Sequence, residues 1–68
     1  MDTDFLVTAT IGSVWLFEPQ SETAKNFTNT DLDVQGWQWM GKAFGVDAGI
    51  ADNLVSALED EGFVLEIR

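Results

Sequence analysis

The chain has 68 residues with twelve carboxylates, three basic side chains, no histidine and no cysteine, so it carries a formal charge of −9 while 46% of it is hydrophobic. That length supports one hydrophobic core rather than two, and 1–68 is expected to be a single domain. The missing histidine and cysteine remove the common general bases, thiol nucleophiles and soft metal ligands, and three Trp with five Phe argue against acidic disorder.

Met1-Asp2-Thr3-Asp4 is acidic where a secretory signal is basic. No run approaches the roughly 18 apolar residues of a membrane helix. With no cysteine framework either, the expected location is the cytoplasm. From Phe5 the apolar positions Phe5, Val7, Ala9 and Ile11 alternate with period two, which reads as a strand. Gly12-Ser13 then suits a hairpin turn or a bulge in one long strand, the hairpin being preferred. Val14-Trp15-Leu16-Phe17 is a continuous apolar run of the kind buried on both faces, and is expected to be the central strand.

Pro19 ends that ladder for want of an amide hydrogen, and Ser21 is placed to cap a short helix over Ser21–Thr28 with Ala24, Phe27 and Thr28 inward. Asn29-Thr30-Asp31 reads as loop. Gly36 to Val46 reads as a second core strand, with Trp37, Trp39, Gly41, Ala43 and Gly45 on one face and Gln38, Met40, Lys42, Phe44 and Val46 on the other. The small residues of the first face suggest a helix packed closely over the glycines. Asp47 caps a helix over Ala48–Asp60 whose apolar stripe is Ile50, Ala51, Leu54, Val55 and Leu58. Gly62 stops it in the left-handed region, and Phe63–Ile67 forms the last strand. The order β-β-α-β-α-β predicts an α+β two-layer sandwich, both helices on one face of a three- or four-stranded sheet.

The residues for catalysis are scarce. Lys25 or Lys42 has no spacing signature that would place it beside Ser13, Ser21 or Ser56, and carboxylates are numerous only in proportion to composition. Asn29-Thr30-Asp31-Leu32-Asp33 begins like a calcium loop, but the sixth position is Val34 rather than Gly and the twelfth is Met40 rather than Glu; Asp31 and Asp33 suit a loop or helix cap better. The expectation is therefore no enzyme, no cofactor and no metal. With Lys25, Lys42 and Arg68 as the whole cationic complement, direct binding to nucleic acid or to anionic lipid is also excluded.

The remaining signal is the acidity. Asp47, Asp52, Glu59, Asp60 and Glu61 on and around the second helix, with Glu18 and Glu22, form a candidate acidic face for a basic protein partner, in the manner of phosphate surrogates. Glu59-Asp60-Glu61 stands where the helix dipole disfavours negative charge. Trp37 and Trp39 are candidate aromatic anchors, although a small domain needs large side chains for its interior and the core is the preferred place for them and for Trp15.

Ser13-Val14-Trp15-Leu16-Phe17-Glu18-Pro19, Thr23-Ala24, Ile50-Ala51-Asp52-Asn53-Leu54 and Glu61-Gly62-Phe63 resemble a family of small uncharacterised bacterial proteins with a V-W-L-F-x-P strand and an I-A-D helix. The likeness covers residues 13–68 and leaves 1–12 as an N-terminal strand extension. It implies the β-α-β-α-β order and no activity. In size and charge the chain is also similar to phage-encoded inhibitors of the anti-CRISPR or anti-restriction type. The expected function is a non-enzymatic interaction module, an inhibitor of a basic nucleic-acid-binding host protein from a phage or mobile element. The alternative is a self-assembling structural domain, a homodimer for example, that uses the Phe5 strand as an apolar sheet edge or a Trp surface.

Overall fold

A computed structural model describes residues 3–9, 12–32, 34 and 36–68, with the backbone alone for Trp37. Strand β1 (Phe5–Ala9) pairs antiparallel with β2 (Val14–Pro19) in the register Phe5 to Pro19 and Ala9 to Trp15. The Gly12-Ser13 region is thus a hairpin connection rather than a bulge. It runs over residues 10–13, with Gly12 at φ +127°; Thr10 and Ile11 lie outside the described residues. Helix α1 (Glu22–Thr30) follows, then a 3₁₀ turn (Gly36–Gln38), the short strand β3 (Trp39–Met40), β4 (Ala43–Asp47), helix α2 (Ala48–Asp60) and β5 (Leu65–Ile67).

The expected long strand from Gly36 to Val46 is in fact a turn and a hairpin. Met40 pairs with Ala43 and Trp39 with Phe44, so the chain reverses at Gly41-Lys42, where Gly41 has φ +70°. A two-residue hairpin of this kind needs a residue that tolerates positive φ, which glycine supplies. The reversal also changes the faces. Trp39 shares a face with Phe44 and Val46, while Ala43 and Gly45 lie with Met40 on the other. Nor does a helix cover Gly45: a Cβ built there would meet Val14 Cγ1 at 3.1 Å.

The fold is α+β, with the expected element order once the third strand is doubled into a hairpin and the sheet has five strands in the order β3-β4-β2-β1-β5. β2 is central. β1 lies inside the sheet between β2 and β5, so the Phe5 strand is not a sheet edge; the edges are β3 and β5, of two and three residues. The antiparallel and parallel pairings make β2 parallel to β3, and β4 parallel to β5. Each helix therefore joins two parallel strands. The first crossover leads to one edge from a strand pointing one way, and the second leads to the other edge from a strand pointing the opposite way. Two connections of one hand related in this manner fall on the same side of the sheet.

The core shows that arrangement. Phe5 and Val7 of β1, Phe17 of β2 and Phe44 of β4 are buried on one sheet face together with Ala24 of α1 and with Ala51 and Leu58 of α2. Phe17 and Phe44 stack with centroids 5.6 Å apart, and Phe63 meets Phe5 and Phe27 edge-on at 5.3 and 5.0 Å. Each buried ring of this kind contributes several kcal/mol in transfer and packing terms.

Local chemistry fixes the helices. The Ser21 hydroxyl accepts from the Ala24 amide at 3.0 Å, the expected cap. α1 runs on to Thr30, past the expected end at Thr28, with Asp31 as its C-cap. Its threonines are accommodated because Thr28 and Thr30 donate to the carbonyls of Ala24 and Asn26, both at 2.8 Å. Gly62, at φ +94°, closes α2 as expected. Its amide donates to the Glu59 carbonyl at 2.9 Å and that of Phe63 to Leu58 at 3.1 Å, a Schellman closure.

One acidic residue of the N-terminus ties these pieces together. The Asp4 amide donates to the Val64 carbonyl at 2.8 Å and its carboxylate accepts from the Val64 amide at 2.9 Å. The Asp4 carbonyl accepts from the Gln20 amide at 2.6 Å. The Val64 amide, and then the Ser21 hydroxyl, hold the Asp4 carboxyl below its ordinary pKa, against a small opposing effect of burial.

Two predictions follow from this packing. Phe17→Ala removes a ring from the centre of the core and should cost about 3–5 kcal/mol, most or all of what so small a domain holds, so urea titration should show a largely unfolded chain. Asp4→Asn should be less stable than the native chain at neutral pH. A depressed folded-state pKa contributes stability above the unfolded carboxyl value and loses it as pH falls, so the difference should close below about pH 4. Urea midpoints of both proteins across that range measure it.

Candidate interaction surfaces

α2 begins at Asp47, whose carboxylate accepts from the Gly49 amide at 2.8 Å. Ala51 and Leu58 are buried and Leu54 and Val55 pack against the core. These positions turn Asp52, Ser56, Glu59 and Asp60, at i, i+4, i+7 and i+8, to solvent along one exposed stripe. Neither the helix nor its last turn contains a basic residue. Glu61, also exposed, is the C-cap, so three carboxylates adjoin the negative end of the helix dipole.

Of the seven acids of the expected face, five stand at one end of the sheet, Asp47 stands at the other, and Asp52 lies between them on α2. β2 ends, β1 begins and α2 finishes at one end, which brings Glu18, Glu22, Glu59, Asp60 and Glu61 there. Asp47 pairs with Val14 at the other end, and the thirteen-residue helix separates it from Glu61 by about 20 Å. Glu18 and Glu22 also have cationic neighbours. Lys25 Nζ lies 3.8 Å from Glu22. Lys25 and Lys42 share with Glu18, Gln20, Asn29 and Trp39 a cavity of about 390 Å³, and Gln20 Nε2 donates to Glu18 Oε2 at 2.8 Å.

Among the described residues the ion pairs are Lys25–Glu22 and Arg68–Glu66. Asp52, Glu59, Asp60 and Glu61 are therefore without ionic compensation, whereas Glu22 has Lys25 and Glu18 accepts from the Gln20 amide. Asp31 caps α1 at its C-terminus; Asp33 lies outside the described residues. Within the described residues no three acids stand close enough to hold a metal ion.

Of the aromatic anchors, Trp39 is half-buried, edge-on to Phe44 at 5.4 Å. Trp15 likewise packs against the core. Trp37 is the middle residue of the 3₁₀ turn, between Gly36 and Gln38, and its side chain lies outside the described part.

A surface that the sequence reading missed lies where the open sheet face meets the start of α2. Val14, Met40 and Ile50 are 42, 64 and 60% exposed and line one groove of about 530 Å³ with Gln38, Gly45, Val46 and Asp47. Val14 belongs to the run read as buried on both faces, and Ile50 to the inward stripe of α2. Ile50 is not inward because it sits roughly 90° from the centre of the Ala51-Leu54-Val55-Leu58 stripe, on the flank of the helix. Among the described residues no helix is long and apolar enough to cross a membrane. No family model, curated protein or solved structure matches this chain.

The acids at the end of α2 carry a stability cost that can be measured. Replacing Glu59, Asp60 and Glu61 together by lysine changes the net charge from −9 to −3, each reversal adding two charges. It also puts cations at the helix C-terminus, so the triple variant should be more stable by on the order of 1 kcal/mol, read from urea unfolding at low ionic strength.

Proposed function

We propose that this chain is a non-enzymatic interaction module whose acidic surface binds a basic protein partner and competes there with nucleic acid, as an inhibitor from a phage or mobile element would. The observation that carries this reading is the outer side of α2, where Asp52, Glu59, Asp60 and Glu61 are exposed and, among the described residues, unpaired. Three of them stand at a helix end that their charge destabilises. From Asp52 to Glu61 the stripe extends about 13 Å along the axis, enough to meet several Lys or Arg side chains of a groove that otherwise contacts phosphates.

Such a surface works by electrostatic complementarity, which accelerates encounter and weakens with ionic strength. Asp47, which caps α2, Glu18, which is bonded to Gln20, and Glu22, which is paired with Lys25, are flanking contacts in this scheme and the α2 stripe is its centre. The test is capture of cellular proteins on the immobilised chain at low salt, with elution by increasing salt. A nucleic-acid-binding protein should be recovered, be displaced by duplex DNA or RNA, and lose at least about tenfold in affinity in the Glu59→Lys, Asp60→Lys, Glu61→Lys variant. Retention unaffected by salt and by those reversals would rule the reading out.

A further inference from the structure

The apolar groove at the start of α2 meets the proposed acidic surface only at Asp47. Among the described residues four large hydrophobic side chains are strongly exposed, Val14, Met40, Ile50 and Ile67, and three of the four line this one groove. They come from three separate elements, β2, β3 and α2, so the cluster is a product of the fold rather than of a local apolar run. Contiguous exposed apolar surface of this kind marks interaction sites more often than isolated exposed residues do.

Its shape has identifiable causes. Gly45 supplies a floor without a side chain, and a Cβ there would press on Val14 Cγ1 at 3.1 Å. The Gln38 side-chain amide donates to the Gly45 carbonyl at 3.2 Å and fixes one wall. The Gly41-Lys42 reversal brings Met40 over the open face, and the position of Ile50 on the flank of α2 forms the opposite wall.

The charge around the groove selects its occupant. Among the described residues its single charged lining residue is Asp47, and none of Lys25, Lys42 and Arg68 lines it. A second copy of the chain would bring another −9 against it, and an acidic segment meets the same repulsion. We infer that the Val14-Met40-Ile50 groove receives an apolar side chain of the basic partner, from a segment in which that anchor is flanked by Lys or Arg facing Asp47. This rests on the reading of the partner as basic and adds a component that salt does not screen: the carboxylates govern encounter, and the anchor prolongs the complex.

The experiment titrates the whole chain with two synthetic peptides while recording methyl NMR signals of Val14, Met40 and Ile50. One is a helical peptide with leucine on one face and lysine on the other; the other is an oligolysine of equal charge. The leucine-lysine peptide should shift all three methyl sets, and the paired variant Met40→Gln, Ile50→Gln should bind it about tenfold more weakly while binding oligolysine unchanged. Both substitutions are at exposed positions and preserve the charge, so folding is retained.

Equal binding of both peptides with the three methyl sets unmoved would overturn the groove assignment and leave the basic-partner reading standing. Failure of both peptides to bind would overturn the groove assignment and the basic-partner reading together. Methyl shifts that appear on concentrating the chain alone would show a second copy in the groove and overturn the proposed occupant.

Discussion

The structure depends on a core built from one side of the sheet. A 68-residue chain has material for one interior, and its two helices both lie over Phe5, Val7, Phe17 and Phe44. The consequence is that neither helix covers the second sheet face. On that face Leu6 and Leu16 are half-buried and Ala43 is buried, while Val14 and Met40 are exposed. The same economy fixes the topology. Two crossovers that run in opposite directions from oppositely directed strands share a side, so both helices leave the second face to other contacts.

Charge follows a parallel division. The few cations are placed where they serve neighbouring acids, Lys25 beside Glu22 and Arg68 beside Glu66. Asp4 has a role inside the fold, joining the start of β1 to Val64, Gln20 and Ser21. Among the described residues Asp52, Glu59, Asp60 and Glu61 have neither kind of partner. Carboxylates that contribute nothing to the fold, and oppose it at Glu59, Asp60 and Glu61 through the helix dipole, are the physical basis for assigning that surface to binding. The apolar groove beside Asp47 complements them with contact that salt leaves intact.

Much of the fold was legible in the sequence because local chemistry and tertiary packing agree there. Ser21, Asp47 and Gly62 act at the helix ends as their side chains or their lack of one require. Val14 to Phe17 is the central strand. The failures came where one residue type serves two purposes. Gly41 fits the small face of a long strand and equally the turn of a hairpin, and only the pairing of Met40 with Ala43 decides. Ile50 continues the spacing of an inward stripe, but its angle on the helix puts it on the flank. For the site, the acids of α2 were readable from composition and the helix dipole. Their separation from Asp47, and the company of Glu18 with Lys25 and Lys42 around one cavity, depend on which strand ends meet. The groove was hidden for the same reason, since Val14, Met40 and Ile50 are distant in sequence and adjoin only in the folded sheet.

The central claim, that the α2 carboxylates are held uncompensated for a partner, is tested most directly by the salt dependence of the free chain's own stability, measured by urea unfolding. Screening over about 10 Å at 0.1 M salt relieves self-repulsion, so the native chain should become more stable as sodium chloride is added, and the Glu59→Lys, Asp60→Lys, Glu61→Lys variant should gain much less. A native chain that loses stability with salt would mean that its carboxylates are engaged in ion pairs within the fold, and would contradict the account.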